Sequence, residues 1–261
     1  MTRILVTGAS SGIGAALARE YAEPGASLVL LGRDAARLEA VAADCRGRGA
    51  EVQSLVADVR DRPEMKRVVE EAHAAQPIDI LIANAGVATG LAPGQILERP
   101  EAVRATFAIN VAGVFNTVEP AILPMCKRGS GAIVVVGSMA AVRGLPFSPA
   151  YSAAKSAVHL YAESLRGVLT PHGVDVSLIV PGWVKTPMSA RTKAWQASAI
   201  TDAEAAQIIR RGLARRKPVI AFPRYMYYSL RFISLLPPRL VDAVMRRFTA
   251  EVPETPERET P

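Results

Sequence analysis

The sequence predicts an α/β fold: a single domain built on a doubly wound parallel sheet, with helices layered on both faces in three αβα layers. Short, almost wholly apolar runs recur along the chain, and stretches with helical periodicity separate them. Strands that alternate with helices in this way pair in parallel through right-handed crossovers. The chain is also long enough for one large core, because 261 residues with 50% hydrophobic content suit one large domain better than two small ones.

The first run, Arg3-Ile4-Leu5-Val6-Thr7, leads straight into Gly8-Ala9-Ser10-Ser11-Gly12-Ile13-Gly14 and a helical stretch over residues 15–21. A strand, a glycine turn and a helix start together make an anion site. Glycine lets the backbone approach a pyrophosphate closely, and the helix N-terminus offers unpaired N–H groups with a favourable dipole. Gly8, Ser10, Ser11, Gly12, Ile13 and Gly14 are the candidate contacts. The spacing, G-x-x-x-G-x-G, departs from the commoner G-x-G-x-x-G, so a plain turn competes with this reading until the second strand is considered.

That strand covers residues 27–31, follows Pro24-Gly25 and ends in Gly32-Arg33-Asp34. In dinucleotide folds this end faces the adenosine ribose, where an acid accepts from the 2′-hydroxyl or an arginine accommodates a 2′-phosphate. Gly32 leaves space and Arg33 supplies a planar cation, which favours NADP(H) over NAD(H). Asp34, one residue further on, pulls the other way.

A helix over residues 35–48 precedes a strand at 52–57 ending in Asp58-Val59. Asp58 can accept from an adenine amino group or cap the next helix. After that helix, at 62–75, a strand at 78–83 ends in Asn84-Ala85-Gly86. The glycine turn, Arg33, Asp58 and Asn84 all fall at the C-terminal edge of the sheet, where ligands bind in such folds.

Residues 101–127 are helical in pattern, and Asn110 stands in them among Phe107, Ile109, Val111, Val114 and Phe115. A buried Asn needs a partner for its amide, so it is either a structural bridge or part of a polar site. A strand at 132–137 then delivers Ser138 to the same edge. The helix at 150–169 carries Tyr151 and Lys155 four residues apart, on one face. A lysine cation beside a phenol stabilises the phenolate, pulling its pKa down from roughly 10, and such a tyrosine can exchange a proton with a substrate oxygen. A last strand, at 174–180, leads into Pro181-Gly182-Trp183-Val184-Lys185-Thr186.

Taken together, Thr7-Gly8-Ala9-Ser10-Ser11-Gly12-Ile13-Gly14, Asp58, Asn84-Ala85-Gly86, Asn110, Ser138, Tyr151 with Lys155, and Pro181-Gly182 with Thr186 resemble the classical short-chain dehydrogenase/reductase superfamily in order and approximate spacing over residues 3–190. The resemblance implies a Rossmann-type fold, a nicotinamide cofactor, and interconversion of a carbonyl and an alcohol. It implies that Tyr151 is the acid or base and that Lys155 holds the nicotinamide ribose while lowering the Tyr151 pKa. Ser138 would bond the substrate oxygen, and Asn110 would hold a water in a proton relay. It extends the cofactor contacts to Asp58, Val59, Asn84, Ala85, Gly86, Pro181, Gly182, Val184 and Thr186. Where the family pattern often has a second Asn before Asn84, this chain has Ala83.

Composition narrows the alternatives. The net charge is +7, but residues 210–247 hold ten basic residues against Asp242, and residues 248–261 hold four Glu and one Arg. The first 209 residues therefore carry only +1. The basic excess belongs to the C-terminal segment, where interleaved apolar residues argue against nucleic acid. Cys45 and Cys126 stand apart and fit a reducing cytosol. The N-terminus reaches Gly8 too soon for a signal peptide, and the pattern shows no apolar run of membrane-spanning length. His73, His159 and His172 are isolated and read as structural, so no metal is expected. Trp183 either lines the substrate pocket or packs.

The expected organisation is a catalytic core over residues 1–190, a lid and C-terminal helical extension over 191–248, and a disordered, Pro- and Glu-rich tail over 249–261. Residues 187–200 read as a mobile lid, followed by a helix at 202–214 capped by Thr201 and a last helix at 239–248. The aromatic, leucine and arginine-rich stretch within 215–248 suits a membrane surface, a hydrophobic lid over a lipid-like substrate, a subunit interface, or a helix packed on the core. The expected protein is a cytoplasmic homo-oligomer, dimer or tetramer, acting on a small carbonyl or secondary alcohol with a lipophilic or acyl chain. The rival reading is a nucleotide sensor or scaffold that keeps the site without catalysis.

Overall fold

The computed structural model describes residues 2–193, 198–246 and 250–254. The elements run β1 (Thr2–Thr7), α1 (Gly12–Tyr21), β2 (Ala26–Gly32), α2 (Ala35–Gly47), β3 (Glu51–Val56), α3 (Arg62–Ala75), β4 (Ile80–Ala83), α4 (Pro100–Phe107), α5 (Gly113–Arg128), β5 (Gly131–Val136), α6 (Pro149–Leu169) and β6 (Val174–Pro181). After these come β7 (Val184–Lys185), α7 (Pro187–Ala190), β8 (Ile200–Thr201), α8 (Asp202–Ala214), β9 (Val219–Phe222), α9 (Arg224–Ile233) and α10 (Pro238–Met245). Seven strands form one sheet in the order β3-β2-β1-β4-β5-β6-β9, parallel throughout. This is the doubly wound Rossmann-type fold. The seventh strand, β9, had no expected element; it is four apolar residues between Pro218 and Pro223, too short for its own pattern to declare it.

Alternation along the strands explains the layering, because successive side chains point to opposite faces. Leu5 packs with Met65, Val69, Val118 and Val158 from α3, α5 and α6. Its neighbours Ile4 and Val6 pack with Leu17, Leu38 and Ile209 from α1, α2 and α8. Burial on both faces is why these strands read as continuous apolar runs.

The expected helix over 101–127 is longer and interrupted. Helices α4 and α5 join through a π-helical turn, Ala108–Ala112, which carries Asn110. The joined helix, Pro100–Arg128, is the one among the described residues long and apolar enough by composition to cross a membrane, a length the sequence pattern did not reveal. Half of its apolar window is buried inside the fold. Val114, Val118, Ala121 and Met125 face the core, so its hydropathy serves packing against the sheet.

The C-terminal part departs from expectation at its end. Helix α8 is capped by Thr201, which accepts from Glu204 N at 3.1 Å. The last helix ends at Met245 rather than 248, and residues 247–249 lie outside the described ones. Residues 250–254, expected to be disordered, are instead tied down. Lys193 and Glu251 exchange backbone hydrogen bonds of 2.9 and 3.0 Å, Gly90 N donates to Pro253 O at 3.1 Å, and Val252 is buried. Composition could not anticipate this, because the contacts come from residues 58 and 163 positions away. Residues 255–261 lie outside the described part, as do 194–197 of the expected lid.

Candidate active site

The strand order reverses between β1 and β4, and a cleft of about 1290 Å³ opens there along the C-terminal edge of the sheet. Every site residue expected from sequence lines it except Gly14 and Asn110, which stand behind its wall.

The glycine turn is built by close approach. Gly8 and Gly12 take positive φ angles of 66° and 53°, which side chains disfavour. A Cβ on Gly14 would stand 2.3 Å from Gly8 O, so α1 can begin against the turn only with glycine there. Ser11 is the N-cap of α1 but makes no side-chain cap bond, and this helix N-terminus faces the cleft. Asn84, expected as a cofactor contact, donates its amide to Thr7 O at 2.9 Å and Gly8 O at 3.3 Å. Its side chain therefore shapes the turn from behind. This close backbone cradle at a helix start fits a pyrophosphate.

At the end of β2, Arg33 and Arg37 both line the cleft. Asp34 is the N-cap of α2, accepting from Arg37 N at 2.9 Å and Arg37 Nε at 2.6 Å. Asp58 pairs with Arg60 rather than capping α3, which Asp61 caps. Burial pushes the Asp58 carboxyl up, but its bonds to Arg60 outweigh this and hold it below the usual range.

Helix α6 brings Tyr151 and Lys155 to the cleft on one face. Lys155 is only 4% exposed and donates from Nζ to Val136 O at 2.9 Å, with Nζ 5.9 Å from the Tyr151 ring centroid. Burial lowers the Lys155 pKa to about 8. Burial also pushes the Tyr151 phenol above its usual value, opposed by a hydrogen bond with the Ser138 side chain. This corrects the expected depression by Lys155: the ammonium is turned toward the Val136 carbonyl, and burial of the phenol is the larger effect.

Asn110 is wholly buried, and both ends of its amide are engaged by Val87: Oδ1 accepts from Val87 N at 2.9 Å, and Nδ2 donates to Val87 O at 2.8 Å. Of the two readings left open, its side chain takes the structural bridge, fixing the loop after β4. Gly86 is required beside it, because a Cβ there would meet Asn110 Oδ1 at 2.7 Å. Thr186, another expected contact, caps α7 by accepting from Ser189 N at 3.1 Å, while still lining the cleft.

Two residues carry roles that the sequence reading did not assign. His159, set aside as structural, accepts from Ser138 N through Nε2 at 3.1 Å. A Cβ on Gly137 would fall 2.1 Å from that nitrogen, so glycine makes the contact possible. Burial, then the neighbouring Lys155 charge, lowers the His159 pKa to about 4. Its place eight residues after Tyr151, at helical spacing, was the available signal. Glu98 accepts from Ala150 N at 2.8 Å, securing the start of α6 one residue before Tyr151, and no local pattern marks it.

The far end of the cleft is apolar, walled by Trp183, Met226, Leu230, Ile233, Met245 and Val252. The site thus joins a glycine cradle at a helix start, a row of hydrogen-bonding groups and an apolar chamber.

Known proteins resemble this chain in sequence and in fold. The short chain dehydrogenase family model matches residues 2–197. Galactitol 2-dehydrogenase (L-tagatose-forming) of Cereibacter sphaeroides is 38% identical over 192 residues, covering 72% of this chain and 73% of that protein. Among solved structures, a short-chain dehydrogenase from Sphingobium yanoikuyae in complex with NADPH superposes with a TM-score of 0.80 at 27% identity, covering 95% of this chain and 97% of that one. NAD+-bound xylitol dehydrogenase gives a TM-score of 0.66 at 33% identity, covering 70% of each chain. The glycine cradle and the cleft along the sheet edge accord with a nicotinamide cofactor, and this chain belongs to the short-chain dehydrogenase family, as an oxidoreductase that interconverts carbonyls and alcohols.

Proposed function

We propose that the chain is an NADP(H)-preferring oxidoreductase that interconverts a lipophilic or acyl-chain carbonyl and its secondary alcohol, with Tyr151 as the acid or base. The observation that carries it is the meeting of Tyr151, Ser138 and Lys155 in the same cleft as the glycine turn. The turn and the N-terminus of α1 would hold the pyrophosphate, with Lys155 within the cleft for the nicotinamide ribose. The nicotinamide, when bound, supplies or accepts the hydride.

As a carbonyl carbon gains hydride, charge grows on its oxygen, and donors aimed there lower the barrier. Burial keeps the proton on Tyr151 at neutral pH, the form that protonates this oxygen. Ser138 hydrogen-bonds the same oxygen. The tyrosinate left behind is stabilised by Ser138 and the nearby Lys155 ammonium, whose pKa of about 8 lets it retain its proton at neutral pH and yield it more readily than a solvated amine. Alcohol oxidation is the reverse.

Two features support NADP(H). Arg33 and Arg37 stand at the ribose end of the cleft, and Asp34, the candidate ribose acid, is engaged with Arg37 as a helix cap. The apolar chamber supports a lipophilic substrate. The proposed setting is the cytosol, in keeping with two free cysteines. The proposed assembly is a dimer or tetramer through the exposed Leu123, Leu160 and Val168 of α5 and α6, read by light scattering.

The test is a panel of carbonyl compounds with NADPH and NADH. Consumption of NADPH by chain-bearing ketones, strongly reduced in Tyr151→Phe, is the expected result. Turnover in Tyr151→Phe that stays near the wild-type rate refutes the mechanism.

A further inference from the structure

Helices α9 and α10 each have two faces with different tasks. Tyr227 of α9 and Val241 and Met245 of α10 are buried. The opposite face carries Tyr228 and Phe232, continues through Leu235 and Leu236 in the connecting turn, and ends with Leu240 and Val244. Phe232 is 67% exposed, Leu235 82% and Leu240 60%. Single exposed apolar residues are ordinary, but six within seventeen residues form a patch that marks an interaction surface.

The charges on these helices identify the partner. Arg224, Arg231 and Arg239 are exposed on the same two helices and Arg246 at the end of α10, and the helices' sole acid, Asp242, is held by Arg143 at 2.5 Å. Arg224 stands 5.9 Å over the Tyr228 ring and Arg231 bonds the Tyr227 hydroxyl at 3.0 Å, so aromatic and cationic groups are interleaved. A second copy of the chain docked through a twofold axis would bring these arginines against their own kind. A bilayer with anionic headgroups satisfies both features at once, taking Phe and Leu into the acyl boundary, Tyr at the interface and Arg at the phosphates. Helices of ten and eight residues lie on such a surface and cannot span it.

We infer that the outer face of α9 and α10 is a docking surface for an anionic lipid bilayer. The inner faces of the same helices supply Met226, Leu230, Ile233 and Met245 to the cleft wall, so docking sets the apolar chamber beside the lipid. That consequence rests on the lipophilic substrate reading above; the docking itself does not.

The experiment is flotation of the full-length chain with vesicles of phosphatidylcholine, alone or mixed with phosphatidylglycerol, which excludes aggregates because they do not float. Binding to the anionic vesicles, weakened by salt and absent with neutral ones, is expected. The double variant Phe232→Asp, Leu235→Asp loses it while keeping the circular dichroism melt of the parent, and Arg239→Gln lowers partitioning roughly fivefold, the share of one arginine near an anionic surface. Equal flotation with neutral vesicles, or flotation unaffected by the double variant, overturns the proposal. A dimer that this variant dissociates, with no flotation by the parent, overturns it in favour of a second copy. Because flotation needs no turnover, a failure of the reductase reading leaves this result standing, and the converse holds.

Discussion

Replacing His159 by Leu separates its role from that of an ordinary core residue. In the folded chain Nε2 must keep a lone pair to accept from Ser138 N at 3.1 Å, and the pKa is held at about 4 by burial and by Lys155. In the unfolded chain it returns to about 6.5. Between these values the unfolded chain binds a proton that the folded chain refuses. The wild type is therefore unaffected by this group above about pH 6.5 and loses stability as pH falls, by roughly 3 kcal/mol near pH 4. His159→Leu lacks this loss. At about pH 7 it should be less stable than wild type by about 1–3 kcal/mol, because Ser138 N–H is left without an acceptor. The gap should shrink or reverse on acidification to about pH 4.5, where most of the wild-type loss has accrued. Urea unfolding of both chains, followed by circular dichroism across this range, measures it, since all other titrating groups are common to both. A gap that stays constant with pH refutes the reasoning. Turnover should fall with little change in NADPH binding, and His159→Gln, which retains an acceptor, should recover part of it.

Other substitutions test neighbouring parts of the site. Tyr151→Phe should lower kcat by about 10²- to 10⁴-fold, the range of a positioned acid, while NADPH fluorescence still reports binding. Lys155 has a folded pKa of about 8 against 10.5 in the unfolded chain. Its stabilising contribution is complete only above the unfolded value and is lost as pH falls toward 8. At neutral pH, Lys155→Met should therefore gain stability, by up to roughly 3 kcal/mol, as turnover disappears; a less stable variant in urea contradicts the burial argument. Arg33→Ala should raise KM for NADPH about tenfold or more and leave that for NADH nearly unchanged, the loss of one charge-assisted phosphate contact; equal effects on both cofactors exclude a 2′-phosphate role.

The parts of this protein legible in its sequence are those set by local chemistry. Six of the seven parallel strands announced themselves, most of them because they are buried on both faces and the edge strand β3 by its short apolar run, and the glycine turn because only glycine tolerates such close backbone approach. Tyr151 and Lys155 were legible because helical spacing alone puts them on one face. Tertiary structure decided everything that depends on which distant groups meet. Asn110 and Asn84 became braces because Val87 and Thr7 face them, and His159 became the support of Ser138 because β5 ends beside α6. The Tyr151 phenol was pushed up rather than down because burial, which no local spacing encodes, outweighs the Ser138 hydrogen bond, while Lys155 is turned toward Val136. Residues 250–254 look like tail in composition, yet backbone partners at Gly90 and Lys193, brought near only by folding, seat Val252 in the cleft wall.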